Sequence, residues 1–196
     1  ENKDYKKSLD VLKKAEEKFP SNPQVFFYKG SIQDKMNLKE DMIASMKKVL
    51  ELDQDHVQAM NYLAFSWAEL GLELEKAEEL ARKAVSKDKE DAFILDTLGW
   101  VLFKKGQYKE AKGVLEKAYE MQPSIGIIAE HLGDVYIKMN KLDKAKTLFI
   151  KASEDETDAS RKKDIEKKIT QVENSLQQFL RQPASVNLDS ESSESP

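Results

Sequence analysis

The 196-residue sequence contains no cysteine, so it forms no disulfide and offers no thiolate to a metal; that absence does not fix a compartment. Histidine is nearly as scarce, with 2 residues, His56 and His131, far apart in the chain. His131 has Glu130 and Asp134 beside it, but a metal would need a further ligand that the sequence does not supply, so neither metal nor cofactor is expected. Phosphate loops, nucleophile elbows and HExxH sequences are missing, and no catalytic residue stands out, so no enzyme is expected. No apolar run approaches the roughly 20 residues that a membrane-spanning helix needs. A basic excess is missing too: 32 Lys and Arg against 36 Asp and Glu give a net charge of −4, which argues against nucleic acid as a partner. Only 7 Gly and 5 Pro occur, mostly in turns, which leaves long stretches free to be helical.

What is present is helical patterning, clearest in residues 92–125, AFILDTLGWVLFKKGQYKEAKGVLEKAYEMQPSI. Leu95, Leu98, Val101 and Leu102 fall at helical spacing and predict one buried face. Gly106 predicts the end of that helix, because glycine takes positive φ without Cβ strain. Tyr108, Ala111, Leu115 and Ala118 mark the apolar face of a second helix, and Pro123 forbids its continuation. The small residues Gly99, Ala111 and Ala118 let the two helices approach closely.

This stretch resembles the tetratricopeptide repeat, a 34-residue unit of the form W-x2-L-G-x2-Y, then A-x3-F, then a small residue, then P. Leu98, Gly99, Ala111, Ala118 and Pro123 match; Leu95, Leu102 and Leu115 stand where the family has Trp, Tyr and Phe. The pattern recurs. Gly133 lies 133 − 99 = 34 residues after Gly99, with Leu132, Tyr136, Ala145, Phe149 and Ala152 in register and Thr157 at the proline position. Leu63 precedes Leu98 by 98 − 63 = 35, and the extra residue is expected in the turn 71–75, since turns absorb insertions better than packed helices. Gly30 precedes Ala64 by 64 − 30 = 34; there Met42, Met46 and Val49 replace the usual small and aromatic residues, and methionine fills irregular gaps.

The resemblance implies an all-α fold, a right-handed superhelical solenoid of antiparallel helix pairs. Repeats are expected at 23–56, 57–91, 92–125 and 126–157. A composition of 40% hydrophobic and 35% charged residues suits a solenoid, whose surface is large for its volume. The wording of the repeats is similar to multi-repeat proteins common in bacteria, which implies a scaffold or adaptor, often for assemblies at the cell envelope.

The two ends read differently. Tyr5, Ser8, Leu12, Ala15 and Pro20 match a second helix with no first helix before it, so residues 1–22 are expected to be the second helix of a truncated repeat, with a natural capping helix as the alternative. Towards the other end, Ile165, Ile169, Val172, Leu176 and Phe179 recur at steps of four and three, predicting one amphipathic helix within 158–182. It is expected to cap the last repeat. Its heptad-like spacing also fits a coiled-coil homo-oligomer. The basic cluster at 161–168 reads as a solvated helix face. Residues 183–196, acidic and serine-rich, are expected to be disordered.

First helices line the concave groove in this family. Carrying that geometry over selects Phe27, Asn61, Phe65, Asp96, Trp100, Phe103, Glu130 and Asp134 as a partner-binding groove. Phe65, Trp100 and Phe103 form its aromatic centre; Asp96, Glu130 and Asp134 form an acidic flank. The expected partner is a protein or peptide segment of mixed apolar and basic character. The Lys, Asn and Arg set with which chaperone-binding members clamp a terminal carboxylate is missing, so chaperone tails are not expected. Aromatic residues at helical spacing also fit inter-repeat core packing, and for Trp100 and Phe103 both readings stand at this point. The expected function is a protein-interaction scaffold. The alternatives are self-association through the terminal helices and a regulatory domain of a larger protein or enzyme.

Overall fold

Ten helices in series, with no strand among the described residues, make up the chain from residue 2 to residue 181 in the computed structural model. They are α1 (Asn2–Lys18), α2 (Pro23–Lys35), α3 (Lys39–Leu52), α4 (Val57–Leu70), α5 (Leu74–Lys87), α6 (Ala92–Lys104), α7 (Tyr108–Met121), α8 (Gly126–Lys138), α9 (Leu142–Asp155) and α10 (Ala159–Arg181). Four hairpins, α2–α3, α4–α5, α6–α7 and α8–α9, stack in order, giving the all-helical repeat solenoid that the spacing predicts. The expected tail at 183–196 and the side chain of Phe179 lie outside the described residues.

Each hairpin closes in the same way. Asn37, Gly71, Gly106 and Asn140 occupy equivalent places and take φ of 58°, 66°, 78° and 55°. The amide two residues past each first helix's closing turn folds back onto that helix, as in Gln107 N to Leu102 O at 2.9 Å and Lys141 N to Tyr136 O at 2.8 Å. This is a Schellman-type ending, for which glycine and asparagine are suited because they enter the left-handed region at low cost. The thirty-fifth residue of the second hairpin is absorbed here: Glu73, with φ of 46°, supplies a second left-handed residue just before α5. Three of the four first-helix starts, all but that of α8, are capped by side chains as well. The Asp91 carboxylate accepts from Phe93 N at 2.8 Å and Ile94 N at 3.2 Å, and His56 Nδ1 accepts from Ala59 N at 3.3 Å.

Within each hairpin one small residue on the first helix receives one side chain of the second. A Cβ added to Gly30 would lie 2.6 Å from the end of Met46, one at Gly99 would lie 2.4 Å from Leu115 Cγ, and one at Gly133 would lie 2.6 Å from the Phe149 ring. In the second hairpin the facing residues are Ala64 and Ala81, both fully buried. Bulky partners thus meet glycine, and the small partner meets alanine. The methionines of the divergent first hairpin obey this rule, with Met42 and Met46 fully buried.

At the far end α10 packs along α9 and buries Ile165 and Val172. Ile169 and Leu176, from the same stripe, are partly buried against the core.

Candidate functional site

The row of first helices α2, α4, α6 and α8 presents a ladder of rings. Phe27 sits 4.8 Å from the His56 ring and 5.9 Å from Tyr62, and Phe65 lies 6.2 Å from His131. Trp100 stacks on Phe103 at 4.8 Å and 13°, and on His131 at 4.1 Å and 15°. Offset stacking of this kind adds stabilisation beyond area burial. The expected aromatic centre therefore exists, but its middle is not open. Trp100 is only 8% exposed, and its indole N–H donates to Glu69 Oε1 at 2.6 Å. Phe27, Phe65 and Phe103 remain half-buried beside it.

The residues of the expected acidic flank have partners within the chain. Asp96 is 4% exposed and bonds His131 Nδ1 through both carboxylate oxygens, at 2.8 Å and 3.0 Å. The same ring stacks on Trp100, so His131 ties α6 to α8 by polar and aromatic contacts at once. Glu130 and Asp134 face α10 rather than open solvent. Lys168 donates to Glu130 at 2.8 Å and to Asp134 at 2.7 Å, and Arg161 donates to Glu130 at 2.8 Å. All three carboxylates that were to attract a basic ligand already have partners in the chain. The cluster at 161–168 is correspondingly not a uniformly solvated face, since two of its cations turn inward.

Charge in this clasp is held by burial and proximity together. Burial raises the Asp134 carboxyl above its ordinary range, against the pull of Lys168. Burial draws the Lys168 ammonium down, but the carboxylates of Asp134 and Glu130 outweigh it and hold Lys168 above the usual lysine value. Lys168→Met should lower the free energy of unfolding at pH 7 by about 1–3 kcal/mol, because the buried Asp134 carboxylate loses its cation while Glu130 keeps only Arg161. Without Lys168, burial alone should hold the Asp134 carboxyl above its unfolded value, so the variant should regain stability as pH falls towards about 5. Urea titrations of parent and variant at the two pH values check both the size and the sign.

Asn61 supplies what the sequence could name but not characterise. Its side-chain oxygen Oδ1 is buried with no hydrogen-bond partner. It lines a recess of about 230 Å³ together with Asp34, Lys39, Tyr62, Phe65 and Ser66. Lys39 and Asp34 pair across the mouth at 2.6 Å. Of the residues selected from sequence, Phe27, Asn61 and Phe65 are thus gathered on α2 and α4. Asp96 and Trp100 belong to the packed joint between α6 and α8, and Glu130 and Asp134 to the α10 clasp. Sequence reasoning missed Tyr62 and His131. The signal was available: both occupy the same register position, on α4 and on α8, one residue after Asn61 and Glu130.

No group of three or more His, Asp or Glu side chains among the described residues is placed to hold a metal ion. No described helix is long and apolar enough to cross a membrane.

Known proteins resemble the chain. A tetratricopeptide repeat family model matches residues 23–56, and a model described as anaphase-promoting complex, cyclosome, subunit 3 matches residues 72–152. A TPR repeat-containing protein of Pseudomonas aeruginosa is 24% identical over 133 residues, covering 68% of this chain and 22% of that protein. The type IV pilus assembly protein PilF of the same organism is 31% identical over 109 residues, covering 55% of this chain and 43% of PilF. The chain therefore spans less than half the length of either relative. Among solved structures, a thermophilic TPR protein of Thermus thermophilus superposes with a TM-score of 0.68 at 19% identity, covering 87% of this chain and 91% of that one. YrrB, described as a TPR protein with an unusual peptide-binding site, superposes with a TM-score of 0.60 at 22% identity, covering 76% of each chain.

Proposed function

We propose, from the premise that this chain belongs to the tetratricopeptide-repeat family of protein-interaction scaffolds, that it holds a segment of a partner protein on the concave face of its first helices, chiefly at α2 and α4. The observation that carries this reading is the unpartnered Asn61 oxygen in the wall of a recess flanked by aromatic side chains. A buried acceptor left without a donor is disfavoured by about 1–3 kcal/mol, and a partner's N–H would remove that penalty. Tyr62 and Phe65 offer apolar walls, and rigid aromatic anchors in a desolvated recess carry a large share of binding energy.

The ligand is then an extended or helical segment with apolar side chains and a free N–H donor. A basic ligand remains compatible with the exposed carboxylate of Glu69 but is no longer drawn by Asp96, Glu130 or Asp134. The likeness to YrrB supports a peptide as ligand, and the likeness to PilF supports an assembly role. No step of this reading is catalytic.

Selection of displayed peptides on the immobilised chain, followed by affinity measurement on Asn61→Ala and Phe65→Ala, tests it. Phe65→Ala should weaken a selected peptide by about tenfold or more, equivalent to about 1.4 kcal/mol. Asn61→Ala should weaken it by a similar factor while leaving the melting temperature unchanged or raised, since no internal bond is lost. Peptides that bind both variants as tightly as the parent would place the site elsewhere.

A further inference from the structure

Three first helices carry a hydrogen-bond acceptor at the same register position: Asn61 on α4, Asp96 on α6 and Glu130 on α8. Two of the three are served by nitrogen donors from the next first helix or from α10. Asp96 receives His131 at 2.8 Å, and Glu130 receives Lys168 and Arg161, each at 2.8 Å. Asn61 is the exception. The residue of α6 that stands where His131 stands on α8 is Thr97, and Asn61 Oδ1 is left without a bond among the described residues.

The recess beside Asn61 is polar where its counterparts are apolar. Asp34 has Ala68, Phe103 and Ile137 at the same position of the other hairpins, and Ser66 has Ile32, Val101 and Val135. Asp34, Asn61 and Ser66 all line the recess, with Tyr62 and Phe65 as its aromatic side. Ser66 is buried, and its hydroxyl is directed at Met42 Sδ, 3.9 Å away, a weak acceptor. A carboxylate, an amide oxygen and a hydroxyl oxygen therefore converge on one space. Among the lining residues the cation is Lys39, whose Nζ lies 2.6 Å from Asp34 Oδ1. The two side chains are 43% and 31% exposed, and an ion pair so open to water contributes little, so an incoming cation can take Asp34 from it.

We propose that this recess takes the guanidinium of an arginine side chain on the partner segment. The proposal rests on the reading that the partner binds at α2 and α4, and it identifies the donor that Asn61 lacks. A guanidinium carries five N–H donors in one plane and no acceptor, so it can meet Asn61 Oδ1 and the Asp34 carboxylate together. Its flat face stacks on aromatic rings such as Tyr62 and Phe65. A lysine ammonium is a strongly hydrated point charge with three donors, and it lacks that face. An acidic side chain would bring a fourth acceptor to a space that already holds three.

The probe is N-acetylarginine N-methylamide, titrated into the full chain beside its lysine and norleucine counterparts. The side-chain amide of Asn61 and the ring signals of Tyr62 and Phe65 are followed by NMR. The arginine compound should bind at least fivefold more tightly than the lysine compound and at least tenfold more tightly than the norleucine one. Asp34→Asn should weaken it at least fivefold. Lys39→Met should tighten it at least twofold, because Asp34 is then free; damage to the fold would not produce a gain. Melting temperatures of both variants should stay within a few degrees of the parent's. An Asn61 signal unmoved by the arginine compound would overturn the proposal. So would equal binding of the lysine or norleucine compound, or weaker binding to Lys39→Met. Displayed peptides that need Asn61 and Phe65 but contain no arginine would overturn it and leave the concave-face reading standing. Peptides that bind the Asn61→Ala and Phe65→Ala variants as tightly as the parent would remove both.

Discussion

Gly99→Leu should lower the free energy of unfolding by about 3 kcal/mol, the upper end of what overpacking usually costs. The reason is local and severe. Even a single Cβ at Gly99 would lie 2.4 Å from Leu115 Cγ and 2.8 Å from its Cδ2, closer than carbon atoms pack. Leu115 cannot swing away, because it is fully buried between its own hairpin and the neighbouring helices. The hairpin α6–α7 would have to open, and with it the surfaces on which α4, α5 and α8 rest. The complementary change makes the argument sharper. Gly99→Ala combined with Leu115→Ala recreates the Ala64–Ala81 pairing of the second hairpin, so the double variant should be more stable than the sum of its singles by about 1 kcal/mol or more. Urea midpoints for the three variants decide it, and strict additivity would remove the size-matching rule.

Trp100→Ala should be at least as damaging, at about 3–5 kcal/mol, the usual range for truncating a buried tryptophan. Three losses coincide: the stack on Phe103, the stack on His131, and the indole N–H that satisfies Glu69. His131 would keep its bond to Asp96 but lose the surface that orients it. Trp100→Phe should fall between parent and alanine, since it retains stacking and loses the donor. Thermal unfolding of the three proteins gives the order directly. A Trp100→Ala protein with the parent's midpoint would return Trp100 to the ligand-facing surface and remove it from the joint between α6 and α8.

The hairpins were legible in the sequence because close packing of two helices leaves a periodic trace. Gly30, Gly99 and Gly133, with Ala111, Ala118, Ala145 and Ala152, are small where backbones approach, and they recur at a fixed interval. Even the substituted first hairpin could be placed, since its methionines keep the register. The candidate site was only half legible. The family's geometry assigned Asp96, Glu130 and Asp134 to the groove side of the first helices. What register cannot carry is whether a side chain on that face is already spoken for. Asp96 meets His131 across a separation of 131 − 96 = 35 residues, and Glu130 meets Lys168 across 168 − 130 = 38. Both pairings depend on how neighbouring hairpins are rotated, which no pattern within one repeat encodes. Trp100 was ambiguous for a related reason. An aromatic residue on an inner face is open or covered according to the residue that the next repeat sets against it, here a histidine.

The first-helix row is joined unevenly, and that has a mechanical consequence. Backbones of α4, α6 and α8 touch along the middle of the row, whereas α2 and α4 meet mainly through the rings of Phe27, His56 and Tyr62, and α8 and α10 through the Lys168 and Arg161 clasp. Backbone contact resists shear, while side chains can re-seat. Within that row, the seam between α2 and α4 is therefore aromatic and indifferent to salt, while the seam between α8 and α10 is ionic and screened by it, so added salt should loosen the Lys168 and Arg161 clasp first and leave α10 held by its apolar packing on α9.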